Sequence, residues 1–383
     1  MNPSFKRRLA VTGSAFVLLG IFWGTFAVLL ADLSREIGLS PGPLGVALFI
    51  GAVASMISMG LLGWASDAVG RRVFVFGALL VFGAGIFGLS AAGSFGGLVL
   101  ALLVVYAGSG LYDVGINASA IDLEREAGRR IMAYFHAAFS AGGFLGAVAS
   151  GIFLAFRFDY RVVYLLVLAP LAVVAVMVAS TDLTSPAPET EPRESSGGVY
   201  AMFANRALLL VALIATLGLL SEGEMEHWSG IYLRDALGLS ALAGGTGVAV
   251  FFGAMAVGRV GAGSLINAFG TGRVLGAAGL LAAVGMAVSL ATTLPALVVA
   301  GFLVVGLALS AVVPIAFSLA GDLAPDKVGA ATSVLTTTSY GGFLLGPVLV
   351  GGLAEAFGLR FALTTIIVAG AAVFALSTRL KKN

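Results

Sequence analysis

Polar and charged positions along this chain come in short clusters that separate long apolar stretches. Twelve stretches reach about the 20 residues needed to cross a bilayer core. They run roughly over 10–31, 43–65, 72–91, 96–121, 131–156, 160–180, 206–234, 243–267, 272–292, 295–320, 328–354 and 360–379. The interruptions are brief, as at Asp32-Leu33-Ser34-Arg35-Glu36, Arg71-Arg72, Asp122 to Arg130, Arg157 to Arg161 and Ala324-Pro325-Asp326-Lys327. Barrel strands would alternate polar and apolar residues, whereas these stretches are apolar all round, so the pattern predicts helices. Stretch 10–31 is too long and uninterrupted for a cleaved leader, and no small-residue cleavage site follows it.

Composition sharpens the picture. Of 383 residues, 59% are hydrophobic and only 10% charged, against roughly 25% charged in an ordinary soluble domain. These figures exclude a disordered chain and a disulfide-stapled secreted protein, and they argue against a soluble enzyme, because so few charges cannot solvate a globule of this size. With no Cys, thiol chemistry and thiolate metal sites are excluded as well. The net charge of +2 matters less than where the charges fall. Lys6, Arg7, Arg8, Arg71, Arg72, Arg125, Arg129, Arg130, Arg193, Arg206, Arg273, Lys327, Arg379, Lys381 and Lys382 share one side. Arg35, Arg157, Arg161, Arg234 and Arg360 share the other, while Arg259 lies inside a span. The positive-inside rule then places both termini in the cytoplasm of a multi-pass protein of the cytoplasmic membrane.

Thr181 to Gly198, rich in Pro, Glu and Ser, reads as a linker between six spans and six. The halves repeat at an offset of about 200 residues: Gly38-Leu39-Ser40 recurs as Gly238-Leu239-Ser240, Asp122-Leu123 as Asp322-Leu323, and Gly142-Gly143-Phe144 as Gly341-Gly342-Phe343. The expected fold is an all-α membrane protein of two pseudo-symmetric six-helix bundles, over 1–180 and 206–383, with a cytoplasmic linker over 181–205.

Gly63-Trp64-Ala65-Ser66-Asp67-Ala68-Val69-Gly70-Arg71-Arg72 resembles the signature loop between the second and third helices of the major facilitator superfamily. Gly63, Asp67, Gly70, Arg71 and Arg72 keep that pattern, and Ala68 departs from it where a basic residue is usual. The resemblance implies alternating access, with a solute bound between the halves near the midplane. It makes these five residues gating candidates, with Asp67 pairing to the Arg residues. The competing reading is a positive-inside topology anchor.

A narrower resemblance, to a bacterial branch related to the fucose–proton symporters, rests on Glu222-Gly223, Trp228-Ser229 and Tyr232-Leu233 in helix seven. Asp113, Asn117, His136 and Ser140-Ala141-Gly142-Gly143 share in it. Ionisable groups inside a membrane mark function by default. Asp113 lies near the midplane with Asn117 on the same face, and His136 sits about 9 Å into helix five. Asp113 is the first proton-carrier candidate; the alternative is a buried Asp satisfied by Asn117, His136 or Tyr112. Glu222 and Glu226 share a face of helix seven, which makes Glu222 the second proton-coupling candidate and Glu226 a substrate contact. Gly223 permits a local break there. Glu224, Glu226 and His227 read equally well as outward, solvated residues of an elongated helix.

Trp23, Tyr112, Trp228, Tyr232 and Tyr340 are candidates for an aromatic platform, with Trp23 and Trp228 favoured because helices one and seven face the cavity in this fold. The substrate-binding set is therefore Trp23, Tyr112, Asn117, His136, Glu226, Trp228 and Tyr340. The Gly runs of helices five and eleven read as packing seams or hinges. No metal site, cofactor, nucleic-acid partner or catalytic arrangement is expected. Arg259 is taken to lie near the cytoplasmic end of helix eight, which leaves no central cation and disfavours anionic solutes. The expected activity is proton-coupled symport of a small neutral or cationic organic solute by a lipid-embedded monomer. Proton-exchanging export of a cationic or amphipathic compound is the alternative, although helix five lacks the Pro that drug–proton antiporters often carry in a similar Gly motif. A non-transporting scaffold or sensor stands third.

Overall fold

The computed structural model describes residues 3–183, 202–324 and 328–380, without the side chains at 67, 328–330 and 333. Among the described residues there are twelve helices long and apolar enough to span a membrane, and no strand. They are α1 (Pro3–Ile37), α2 (Pro41–Leu62), α3 (Arg71–Ala91), α4 (Phe95–Ala127), α5 (Met132–Ala155), α6 (Tyr160–Ala179), α7 (Arg206–Ala236), α8 (Ala241–Phe269), α9 (Thr271–Ala291), α10 (Pro295–Leu323), α11 (Val334–Phe357) and α12 (Leu359–Ser377). Most of the expected linker lies outside the described residues.

Local chemistry sets the boundaries. Ser94, Asp159, Asn205 and Ser240 accept backbone N–H groups at the starts of α4, α6, α7 and α8. Pro41 and Pro295 occupy first-turn positions where no N–H is needed. The cluster Asp32 to Glu36 does not end α1, because helical hydrogen bonding ignores the membrane edge. The helix runs on to Ile37, and the chain reverses at Gly38, whose φ of 73° suits glycine. The repeat is thus visible in the backbone: Gly238 takes a φ of 66° at the equivalent turn, and Gly70 and Gly270 take 86° and 78°.

α1–α6 and α7–α12 form two bundles with matching neighbours: α1 packs on α5 as α7 packs on α11, and α3 on α4 as α9 on α10. The bundles meet along α5–α8, α2–α11 and α1–α7. Toward the face opposite the start of α1 and the end of α12 (the far face), one hydrophobic core runs continuously through both bundles. Toward the terminal face, two separate clusters belong to the second bundle alone. The cleft between the bundles therefore opens to the terminal face.

Charges close the far face. Arg234 on α7 pairs with Asp32 on α1, with one Nη2–Oδ1 contact at 2.7 Å. Arg35 pairs with Asp235 at 3.1 Å. Those two positions are exactly equivalent in the repeat at an offset of 200, so opposite charges replace what a perfect duplication would make a like-charge contact. Gly42 N–H of α2 donates to Glu355 of α11 at 2.9 Å. Asp32→Asn is expected to shift the population toward far-face opening by about tenfold, a conformational change of ~1.4 kcal/mol. A chain without native Cys makes the measurement direct: maleimide labelling of Ser229→Cys, buried beside this closure, should speed up. An unchanged rate would rule out a latch here.

Candidate functional site

Arg259 organises the centre. It lies ten residues before the end of α8 at Phe269, about 15 Å from the helix end, which places it at mid-depth. Its Nη2 donates to Glu222 Oε1 on α7 at 2.7 Å. Its Nη1 donates across the bundle interface to Ser140 Oγ at 2.6 Å and to the His136 carbonyl at 3.3 Å, both on α5. The expectation that no cation occupies the centre is thereby corrected: a long side chain rooted ten residues from the helix end spans the gap. It brings no free positive charge, because the 8%-exposed Glu222 side chain neutralises it.

Asp113 and Asn117 sit half-buried on α4, with the amide donating to the carboxylate at 2.8 Å. His136 is half-buried, edge-on to Phe16 at 5.7 Å and within electrostatic reach of Arg259. Tyr340, half-buried on α11, is within reach of both Asp113 and Glu222. Both bundles therefore contribute to one polar cleft.

α7 runs unbroken through Gly223, contrary to the expected local break. The Phe343 ring of α11 packs there, and a Cβ on Gly223 would lie 2.9 Å from it. The irregularity falls later, in the π-helical turn Tyr232–Ala236 that carries Arg234 to Asp32. The reading of Glu224, Glu226 and His227 as outward solvated residues is also corrected: they are 0%, 5% and 1% exposed. Helix packing, rather than length, decides this, because the upper half of α7 is enclosed by both bundles. Glu224 faces α12 and accepts from Thr365 Oγ1 at 2.8 Å, while its Oε1 has no partner among the described residues. Glu226 faces inward, within reach of Glu222 and Arg259.

His227 Nδ1 lies 2.6 Å from the Gly223 carbonyl, an acceptor only, so Nδ1 carries the hydrogen. Nε2 in the neutral ring then accepts from Tyr106 Oη of α4 at 2.8 Å, a second polar link between bundles. Trp23, half-buried, lies edge-on to Tyr106 at 5.0 Å and to His227 at 6.2 Å. Not every aromatic candidate reaches the cleft. Tyr112 is fully buried inside the first bundle, stacked on Phe82 and donating to the Ala15 carbonyl at 3.1 Å. Trp228 is likewise 0% exposed, and its Nε1 has no partner among the described residues.

The signature loop lies at the terminal face. Gly63 caps α2, a one-turn helix Ala65–Ala68 follows, and Gly70 turns the chain into α3. Arg71 pairs with Asp122 of α4 at 3.2 Å and donates to Ser66 at 2.9 Å; Arg72 is exposed. The Asp67 side chain lies outside the described residues. Sequence reasoning treated Asp122 only as a boundary and a repeat marker. It also missed Tyr106, Thr365 and the reach of Arg259, for which a polar residue within an apolar span was the one available signal.

Comparison with known proteins agrees with this architecture. The Major Facilitator Superfamily model matches residues 12–260 and 228–382. An uncharacterized transporter of Sinorhizobium fredii is 31% identical over 370 residues, covering 96% of this chain and 97% of that protein. An uncharacterized MFS-type transporter of Yersinia pestis is 29% identical over 364 residues, covering 94% and 92%. Among solved structures, a mutant of the nucleoside transporter NupG superposes with a TM-score of 0.79 at 15% identity, covering 97% of this chain and 98% of that one. An inward-facing bacterial homologue of the human lysosomal transporter Spinster gives 0.77 at 15% identity, covering 99% and 98%. At that identity these two structures speak to the fold alone. Twelve helices in two matching bundles, a signature loop in place and a family model spanning nearly the whole chain make this protein a member of the Major Facilitator Superfamily.

Proposed function

We propose that this transporter moves a small organic solute, neutral or cationic, across the cytoplasmic membrane by proton-coupled alternating access, as a monomer. The terminal face is the cytoplasmic one, by the Lys and Arg bias of its loops, so the cleft described above faces inward.

The observation that carries the reading is the three-way grip of Arg259 on Glu222, Ser140 and the His136 carbonyl. One guanidinium ties the charge of an acid in the second bundle to a contact with the first. A proton on Glu222 removes the countercharge that orients Arg259 and weakens its hold on α5; loss of that proton restores it. Asp113, held by Asn117 on the opposite wall, is the second proton carrier. The bundles then rock, the far-face pairs of Asp32 and Arg35 open, and the terminal face closes.

Proton symport is the first reading. A specific observation favours a second, proton-exchanging export of a cation: Asp113, Glu222 and Glu226 share the cleft with Arg259 as their cation. Liposomes screened across a solute panel under an imposed pH gradient separate the two. Uptake driven by an alkaline interior supports symport, and accumulation under the opposite gradient supports exchange. No flux of any solute in a folded preparation favours a scaffold or sensor. Asp113→Asn is expected to abolish pH-driven accumulation while sparing counterflow. Retention of full pH-driven accumulation in that variant removes Asp113 from the mechanism.

A further inference from the structure

The cleft carries a carboxylate that no described residue pairs with. Glu222 has the Arg259 guanidinium and Asp113 has the Asn117 amide. Glu226 is 5% exposed, yet it makes no hydrogen bond or ion pair with any described residue, although Glu222 and Arg259 lie within electrostatic reach. Arg259 is already committed to three acceptors. Enclosing a carboxylate without a partner is costly, so a group at this place is built to meet a charge that arrives from elsewhere.

The surroundings indicate what kind of charge. Tyr106 lies within electrostatic reach of Glu226. The Trp23 ring stands edge-on to Tyr106 at 5.0 Å, and Trp23 is half-buried. Tyr106 Oη and His227 Nε2 are occupied with each other at 2.8 Å. Tyr106 is only 2% exposed, so Trp23 is the partly exposed ring of this corner, which otherwise holds a carboxylate and few free hydrogen-bonding groups. An alkylammonium group is what such a corner recognises, by ion pairing on one side and cation–π contact on the other.

We propose that Glu226, with the Trp23 ring in the same corner, binds the ammonium group of an organic amine, which is the solute class of this cleft. The proposal rests on the cleft being the transport site and narrows its solute from neutral or cationic to cationic. A phosphate or carboxylate group is repelled by the same acids.

Thermal unfolding of the purified full-length protein tests it, with phenethylammonium, phenethyltrimethylammonium and the uncharged phenethyl alcohol at millimolar concentration as probes. Both cations are expected to raise the midpoint by several degrees, and the alcohol is not. Glu226→Gln should lose the shift, while Glu224→Gln, on the Thr365 side of the same helix, should keep it. Equal stabilisation by the alcohol, no shift from either cation, or a full shift in Glu226→Gln overturns the proposal. Should Glu226→Gln fail to fold, Trp23→Leu decides. It is expected to erase any advantage of the quaternary over the primary ammonium, and an unchanged advantage is the overturning result. The measurement uses no gradient and no flux, so failure of proton coupling in liposomes leaves this result standing, and the converse also holds.

Discussion

Arg259→Met is expected to cost about 3–5 kcal/mol, the usual consequence of removing one partner from a buried ion pair. Glu222, with an 8%-exposed side chain, is left without its countercharge, and Ser140 loses its cross-bundle donor. Transport should fall by at least two orders of magnitude, and the thermal midpoint should drop. The double variant Glu222→Gln with Arg259→Met should recover stability, because no uncompensated charge remains, but it should not recover proton-driven accumulation. Arg259→Lys should recover little of either, since a single ammonium cannot hold Glu222, Ser140 and the His136 carbonyl with the same fork. Thermal unfolding and proteoliposome flux report the two effects separately. A single Arg259→Met variant as stable and active as the parent would sink the central role given to this residue.

The second large effect is expected at the glycine seams. A Cβ on Gly142 would land on the Val17 carbonyl of α1, and a Cβ on Gly342 would land on the Thr216 carbonyl of α7. The contacts fall on the matching helix pairs α1–α5 and α7–α11, one residue out of register with the repeat, and each closes its pair through backbone that cannot step aside. Gly142→Ala and Gly342→Ala should each lose about 1–3 kcal/mol through overpacking. Gly341→Ala, one residue away, points into open space. It should be neutral or add up to about 1 kcal/mol, because Ala is the better helix former. Yield and monodispersity in detergent, with thermal midpoints, make the comparison. Equal behaviour of Gly341→Ala and Gly342→Ala would show that the seam does not hold the bundle. In this conformation Gly142 and Gly342 are packing contacts, whereas Gly341 and Gly352 of the same runs face open space.

The candidate cleft is only partly legible in the chain. Asp113 and Asn117 were read as one wall because a spacing of four residues on a helix is local geometry, and their hydrogen bond at 2.8 Å agrees. Glu222 and Glu226 were placed on a common face for the same reason. Tyr112 and Trp228 were picked by residue type and helix number, which do not specify the direction a side chain takes within a bundle. Both are fully buried. Arg259 was assigned a depth from its helix alone, whereas a side chain of that length places its charge well away from its own backbone.

What the sequence determined by itself was every property with a short range: twelve apolar lengths, the caps and turns between them, the bias of basic residues to one face, and a repeat that returns turn for turn at an offset near 200 residues. These follow from chain connectivity, hydrogen bonding within a helix and the cost of charge in hydrocarbon, none of which needs a neighbouring helix. Tertiary structure alone decided how the acids of α7 are shared out: Glu222 to Arg259, Glu224 to Thr365, and Glu226 to the cleft without a partner among the described residues. Helical periodicity separates these residues by angle but is silent about which neighbour stands at each angle, and in a membrane interior that neighbour determines whether a charge is neutralised, locked away or left to meet a solute.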